Sequence, residues 1–288
     1  MQTPSPYPFK PTLDNALETI TETGGARASV KKHLRAVGIV NWSNISKIKL
    51  YELRDEINGS VSANTAKTLF ARISSMFGRF EEVVEELPED WRKVLTCKGE
   101  QTVKTYLTPE ELEKFECVQT KNPKEEVVRC ECLLEAYTGA RVSDIVNLTT
   151  ENIEGDNIVY VSVKTGKRAD VPFSQRARAW LEYAQDHRAD APTYRAERND
   201  IVRRLCQRAG IYTPVMVHVG GKDERGPKYM YVTSHTFRIS FVTNLHKAGL
   251  DLLTISRMAG HSSVAMTERY CAITKPKVTG AAAKYLGV

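Results

Sequence analysis

The sequence predicts a mainly α-helical protein with small β-hairpins: an all-helical N-terminal segment followed by an α+β segment. Three observations predict it. Residues 13–95 read as helix throughout, with apolar positions at helical spacing. Residues 96–106 lose that period and include Gly99, which marks a linker. Beyond it, helical runs alternate with short β-branched runs closed by glycine turns. A chain of 288 residues is long enough for two domains.

Residues 1–12 are proline-rich and read as a flexible arm. A helix is expected through Ala28–Val37, with Arg27, Lys31 and Arg35 four residues apart on one face. A longer one is expected from Ala63 to Glu86. Its Leu69, Phe70, Ile73, Met76, Phe77, Phe80, Val83 and Val84 keep close to a 3.6-residue period. The opposite face shows Lys67, Thr68, Arg72, Ser75 and Arg79. A single basic stripe is ordinarily a solvated face.

After the linker, Thr108-Pro109-Glu110-Glu111 opens a helix. Thr108 suits the N-cap, Pro109 the first helical position, and Glu111 closes a capping box. Glu125–Tyr137 is helical and stops at Gly139. Ser143 and Asp144 begin the next helix, which leaves Arg141 in the turn between them. Asn157–Val163, Lys164-Thr165-Gly166-Lys167 and Ala169–Phe173 read as a hairpin. A second hairpin is expected from Val215–Val219, Gly220-Gly221 and Tyr229–Val232. Helix resumes at Thr236, with Phe237, Phe241, Val242 and Leu245 on one face and Gly249 closing it. Leu252–Ala259 is a short helix ended by Gly260.

Bulk composition excludes little. The chain is 41% hydrophobic and 26% charged, ordinary for a globular protein. It has no run of about 18 apolar residues for a membrane span, and its first residues lack the pattern of a signal peptide. A net charge of +6 is compatible with nucleic acid without requiring it. The six cysteines are scattered and form no CxxC, so a reduced, cytoplasmic protein is expected, with Cys130 and Cys132 as helix residues.

The sharpest feature is a set of residues spread over 130 positions. Arg141 lies in Thr138-Gly139-Ala140-Arg141, and His235 and Arg238 in His235-Thr236-Phe237-Arg238. His261 follows Gly260, and Tyr270 stands nine residues after His261. Each alone is bland: a lone HxxR is common by chance, and a lone tyrosine is usually packing. Together they suit displacement at a phosphodiester. That reaction needs positive charge and donors around the non-bridging oxygens, which the planar, permanently charged arginine fork supplies. A tyrosine nucleophile stores the bond energy in a covalent phosphotyrosyl link, and proton transfers can fall to histidine and lysine.

In this order the chain resembles the tyrosine recombinases, the family of phage-type integrases and chromosome-dimer resolvases. The resemblance rests on Thr138-Gly139-Ala140-Arg141-Val142-Ser143-Asp144, Lys164 in the hairpin turn, His235-Thr-Phe-Arg238, Gly260-His261-Ser-Ser and Tyr270. It covers essentially residues 105–275. The helical segment resembles the family's core-binding domain more weakly.

The resemblance implies a core-binding domain at 13–95, a linker at 96–106, a catalytic domain at 107–275 and a C-terminal tail at 276–288. Arg141 and Arg238 would clamp the scissile phosphate, and His261 would donate to one of its oxygens. His235 would help deprotonate Tyr270. Lys164 would protonate the 5′-hydroxyl leaving group, with Lys167, three residues on, as the alternative. Asp144 would orient Arg141 from behind. No cofactor or metal is implied. Beside such a site the two basic stripes become candidate phosphate contacts: Lys31, Arg35, Lys67 and Arg72. The partners implied are double-stranded DNA and the protein itself, as a tetramer on two duplexes that is weakly associated or monomeric without DNA. The tail would dock on its own domain or, exchanged, on the next subunit. There are two departures from the common pattern, Ala140 where many relatives have leucine and the pair Ile239-Ser240 after Arg238. Neither removes a reacting group. Type IB topoisomerases use similar groups on one duplex, and a DNA-binding protein could keep the fold without the activity. The complete set of reacting groups argues against the latter.

Overall fold

The computed structural model describes residues 10–20, 24–100, 105–219 and 222–271. Most of the expected arm, part of the linker, the Gly220-Gly221 turn and the 276–288 tail lie outside the described residues. The chain divides into two compact units at about residue 102.

The first unit is helical. It comprises α1 (Leu13–Leu17), α2 (Gly24–Ala36), α3 (Lys47–Ser60), α4 (Ala63–Phe80) and α5 (Trp91–Val94), with a 3₁₀ turn at Trp42–Asn44. Thr12 and Ser46 cap α1 and α3 by accepting from the backbone N–H groups of Asn15 and Lys49. The apolar stripe of α4 forms the core with Leu34, Leu50, Leu53 and Ile57. Phe77 meets Trp91 edge-on, ring centres 5.5 Å apart. The helix ends at Phe80, short of the expected Glu86. Glu81, Glu82, Glu85 and Glu86 crowd its C-terminus against the helix dipole, and Pro88 bars continuation. Val84 still reaches the core through the turn, bonding back to the Phe80 carbonyl. At the other end, α2 starts at Gly24 rather than Ala28, its two glycines lying within the first turn.

The second unit starts with α6 (Pro109–Glu116), whose capping box is made on both sides. Next come α7 (Pro123–Thr138) and α8 (Val142–Ile145). The first hairpin proves to be part of a three-stranded antiparallel sheet of β1 (Ile153–Glu154), β2 (Asn157–Val161) and β3 (Arg168–Pro172). Its register sets Ile158 opposite Val171 and Tyr160 opposite Ala169. Two residues of β1 are too short a run to register as a strand by pattern. Helices α9 (Gln175–Asp186) and α10 (Arg195–Arg208) follow.

The second hairpin departs from expectation. Its strands are β4 (Pro214–Val219) and β5 (Lys222–Pro227), and Lys228–Tyr231 is a 3₁₀ turn. The second strand is the polar run Lys222–Pro227, on a hairpin exposed enough to need no apolar face there. Val232 instead joins the core, and half-buried Tyr229 packs against it. The chain then runs through α11 (Ser234–Lys247), α12 (Leu252–Met258) and α13 (Val264–Cys271).

Helix α7 is the centre of this unit, packed by α9, α10 and α11. Its buried face includes two carboxylates. Glu131 pairs with Arg198 of α10, while burial pushes the pKa of Glu135 well above the carboxylate range. Helix α11 also holds the start of the unit. Ser240 accepts from the Leu107 N–H at 2.8 Å, and the Asn244 amide donates to the Leu107 carbonyl at 3.0 Å. Ser240, one of the departures from the family pattern, thus has a structural partner.

Candidate active site

The site forms where the C-terminus of α7, the turn after β2, the N-terminus of α11 and the start of α13 converge. Gly139 ends α7 at φ +69°, a conformation open to glycine. A side chain there would also collide with Phe241, the nearest ring carbon lying 2.4 Å from an added Cβ. This tight turn presents Arg141 at the entry to α8 and turns the Gly139 carbonyl towards Arg238, which donates to it through Nη1.

Arg141 donates from Nη1 to the Ser162 hydroxyl at 2.8 Å. That hydroxyl donates in turn to Asp144 Oδ2 at 3.0 Å. Asp144 and the Arg141 guanidinium approach only to 3.9 Å, so the serine stands between them. Asp144 thus reaches the Arg141 guanidinium through the serine, while its Oδ2 also accepts from the Arg141 backbone N–H at 3.4 Å.

Arg238 is 1% exposed. Burial lowers its pKa to about 10, and the neighbouring Arg141 charge adds to the effect. The side chain stays charged at neutral pH. His261 is also buried, one residue past the left-handed Gly260 that ends the α12 turn. Its Nδ1 meets the Thr267 hydroxyl at 2.7 Å. Burial, then Arg238, Arg141 and His235, pull its pKa down to about 3, so the ring is neutral. In the tautomer in which the Thr267 hydroxyl donates to Nδ1, the ring proton sits on Nε2.

Two polar atoms decide the character of the site. Arg238 Nη2 and His261 Nε2 are both buried and have no hydrogen-bond partner among the described residues. Unmade bonds of this kind are costly and rare. Arg238 Nη2 is a donor, and so is His261 Nε2 in the tautomer in which Thr267 donates to Nδ1; in a region of positive charge they meet the requirement for holding an anion. Tyr270 lies at its edge. Its hydroxyl is 3.2 Å from His235 Nε2, and its ring centre is 5.7 Å from that of His261. A tyrosine oxygen, a nitrogen base and an anion cradle are thus adjacent, which is the constellation for nucleophilic attack on a phosphodiester.

The structure brings together Arg141, His235, Arg238, His261 and Tyr270. Lys164 is on the turn after β2, exposed, and Lys167 is exposed on the same turn. Neither ammonium makes a hydrogen bond or ion pair among the described residues. The turn itself is anchored at the site, since the Thr165 hydroxyl donates to the Gly260 carbonyl at 3.0 Å. In the first unit, Arg35 and Lys67 are exposed, and Arg72 lines a shallow groove with Thr68, Ser75 and Arg79. Lys31 is held by Asp14 at 2.8 Å.

Residues 105–276 match the family model described as "Phage integrase family". The chain is 30% identical over 256 residues to tyrosine recombinase XerC of Anoxybacillus flavithermus, covering 85% of this chain and 82% of that protein. It belongs to the phage integrase family, the tyrosine recombinases. A second XerC, from Bacillus pumilus, is 27% identical over 271 residues, with 87% and 85% covered. Among solved structures, the fold matches that of the Tn1549 transposon integrase in complex with transposon right end DNA. The TM-score is 0.66 at 14% identity, and 96% of this chain and 99% of that one are covered. It also matches a lambda integrase tetramer bound to a Holliday junction, with a TM-score of 0.64, 14% identity and 93% and 79% covered.

Several partners in this tyrosine recombinase were not visible as signals in the sequence. Ser162 reads as one polar residue at a strand end, Thr267 as a helix hydroxyl, and the Gly139 carbonyl has no side chain to notice. Each acts only through a contact closed by the fold. A polar residue on the inward face of an otherwise apolar strand, as at Ser162 after Ile158 and Tyr160, is the one clue that was available.

Proposed function

We propose that the protein is a site-specific DNA recombinase that cuts and rejoins duplex DNA through a 3′-phosphotyrosyl intermediate and a Holliday junction, without metal or ATP. The buried, unpartnered Arg238 Nη2 and His261 Nε2, with Tyr270 packed on the His261 ring, carry this reading. The Tyr270 oxygen attacks the scissile phosphorus and gives its proton to His235. The new O–P bond replaces the bond to the 5′-oxygen, which leaves with the electron pair and takes a proton from Lys164. Arg141, Arg238 and His261 donate to the non-bridging oxygens, where charge builds up. Rejoining is the reverse, with a 5′-hydroxyl attacking the phosphotyrosine.

The rest of the reading follows the family. Relatives named XerC and a lambda integrase tetramer on a Holliday junction support duplex DNA as substrate and a tetramer as the working assembly. Residues 13–95 form the core-binding domain and 107–275 the catalytic domain, joined by the 96–106 linker. Lys31, Arg35, Lys67 and Arg72 contact phosphates. No helix of the described residues is long and apolar enough to cross a membrane, in keeping with action on DNA in the cytoplasm, at the nucleoid in a prokaryotic host.

The test is adduct formation. Wild-type protein incubated with a random-sequence pool of nicked duplexes should give a protein–DNA adduct that survives denaturing electrophoresis. Tyr270→Phe should bind the recovered DNA with wild-type affinity and give no adduct, because only the nucleophilic oxygen is lost. An adduct with Tyr270→Phe sinks the assignment. Relaxation of a plasmid lacking the recovered site would instead mark a topoisomerase.

A further inference from the structure

Ser162 immediately follows β2 and is buried, 1% exposed. Its hydroxyl accepts from Arg141 Nη1 and donates to Asp144 Oδ2. Its backbone builds the Lys164 turn. The Ser162 N–H donates to the Lys167 carbonyl at 2.8 Å, and its carbonyl accepts from the Gly166 N–H at 2.8 Å. Asp144 joins the same turn from the other side, its Oδ1 accepting from the Val163 N–H at 2.9 Å. One hydroxyl and one carboxylate thus tie the arginine loop after α7 to the lysine turn after β2.

We propose that Ser162 is a positioning residue for Arg141. Its hydroxyl fixes Nη1, leaves the remaining guanidinium N–H groups for the phosphate, and holds the guanidinium in register with the Lys164 turn. The proposal rests on the recombinase reading above. Serine is suited to the place because one small group both accepts and donates. Without it, Arg141 Nη1 faces Asp144 Oδ2 across 3.9 Å with nothing between. Opposite charges in a buried setting attract strongly, so the guanidinium would swing to the carboxylate and away from the phosphate. A displacement of about 1 Å at a reacting centre can cost on the order of 10²-fold in rate. The backbone bonds of Ser162 do not depend on its hydroxyl, so the Lys164 turn should survive Ser162→Ala.

The test compares full-length wild type, Ser162→Ala, Ser162→Thr, Arg141→Ala and the double variant Ser162→Ala/Arg141→Ala. Single-turnover cleavage is measured on a nicked suicide duplex of the sequence recovered from wild-type adducts, made with either a 5′-oxygen or a 5′-thiol leaving group. Ser162→Ala should cleave both substrates about 10- to 100-fold more slowly. Ser162→Thr, which keeps the hydroxyl, should stay within about threefold of wild type. On the Arg141→Ala background, loss of the serine should cost less than about threefold, since the contact it serves is already gone. Ser162→Ala cleaving at the wild-type rate overturns the proposal, and so does its full cost reappearing on the Arg141→Ala background.

A second readout needs no DNA. Sulfate, as a probe of the anion cradle, should raise the melting temperature of wild type and Ser162→Thr above the baseline set by Arg141→Ala. Ser162→Ala should respond like Arg141→Ala. A wild-type response from Ser162→Ala overturns the proposal even where the DNA selection yields no adduct, an outcome that would count against the recombinase reading instead.

Discussion

His261 shows how one residue's chemistry is set by its surroundings. An ordinary imidazole of pKa 6.5 is driven to about 3 by burial and by Arg238, Arg141 and His235. The folded protein therefore refuses a proton that the unfolded chain accepts once the pH falls below 6.5. Stability should then drop as pH falls from 6.5 towards 3, because the unfolded state binds the extra proton. Replacing His261 by Gln should remove about one proton from the pH dependence of unfolding over that range. Denaturant unfolding at several pH values measures this, and an unchanged slope means that His261 titrates normally. In NMR titration its ring signals should likewise stay still between pH 5 and 8. The sequence already singled out His261 and its family role. It could not reveal that the ring is neutral, because that follows from burial and from two arginines more than 20 residues away in the chain.

At the scale of elements, the turns carry the function. Gly139→Ala should be costly twice over. It places a side chain at φ +69° and drives its Cβ into Phe241. A loss of about 1–3 kcal/mol is expected from such overpacking. Thermal unfolding should show it, and cleavage should fall by more than the lost stability explains, because the Gly139 carbonyl holds Arg238. A variant of wild-type stability would mean the turn can relax. The Lys164 turn invites a chemical test. Lys164→Ala should cleave poorly with a 5′-oxygen leaving group and recover with a 5′-thiol, since sulfur needs no acid. Lys167→Ala should be mild on both, and the reverse pattern would move the role to Lys167. Capping and glycine signals made α6 and the end of α7 legible. The second strand of the β4–β5 hairpin was missed because a polar strand exposed to solvent has no apolar alternation to read.

For the whole molecule, DNA binding should weaken steeply with salt, through counterion release from phosphates. Each true phosphate contact removed should lower the slope of log affinity against log salt by about 0.9. Neutralising Arg35, Lys67 and Arg72 together should therefore lower the slope by about 2.7. Fluorescence anisotropy at several salt concentrations measures it. An unchanged slope in the triple variant would mean these faces look to solvent.

By itself, the sequence determined the helical character of the first segment, the break near residue 100, the family, and which residues to propose as nucleophile, base and anion ligands. These are local or compositional: a helical period is written in neighbouring residues, and reacting groups must be of particular types. Only the tertiary structure decided how Arg141 is held, which atoms of Arg238 and His261 are left to meet an anion, and the charge state of His261. Those depend on burial and on contacts between residues far apart in the chain, such as Ser162 between Arg141 and Asp144. Desolvation and hydrogen-bond geometry arise only when the chain closes, so no period or spacing records them.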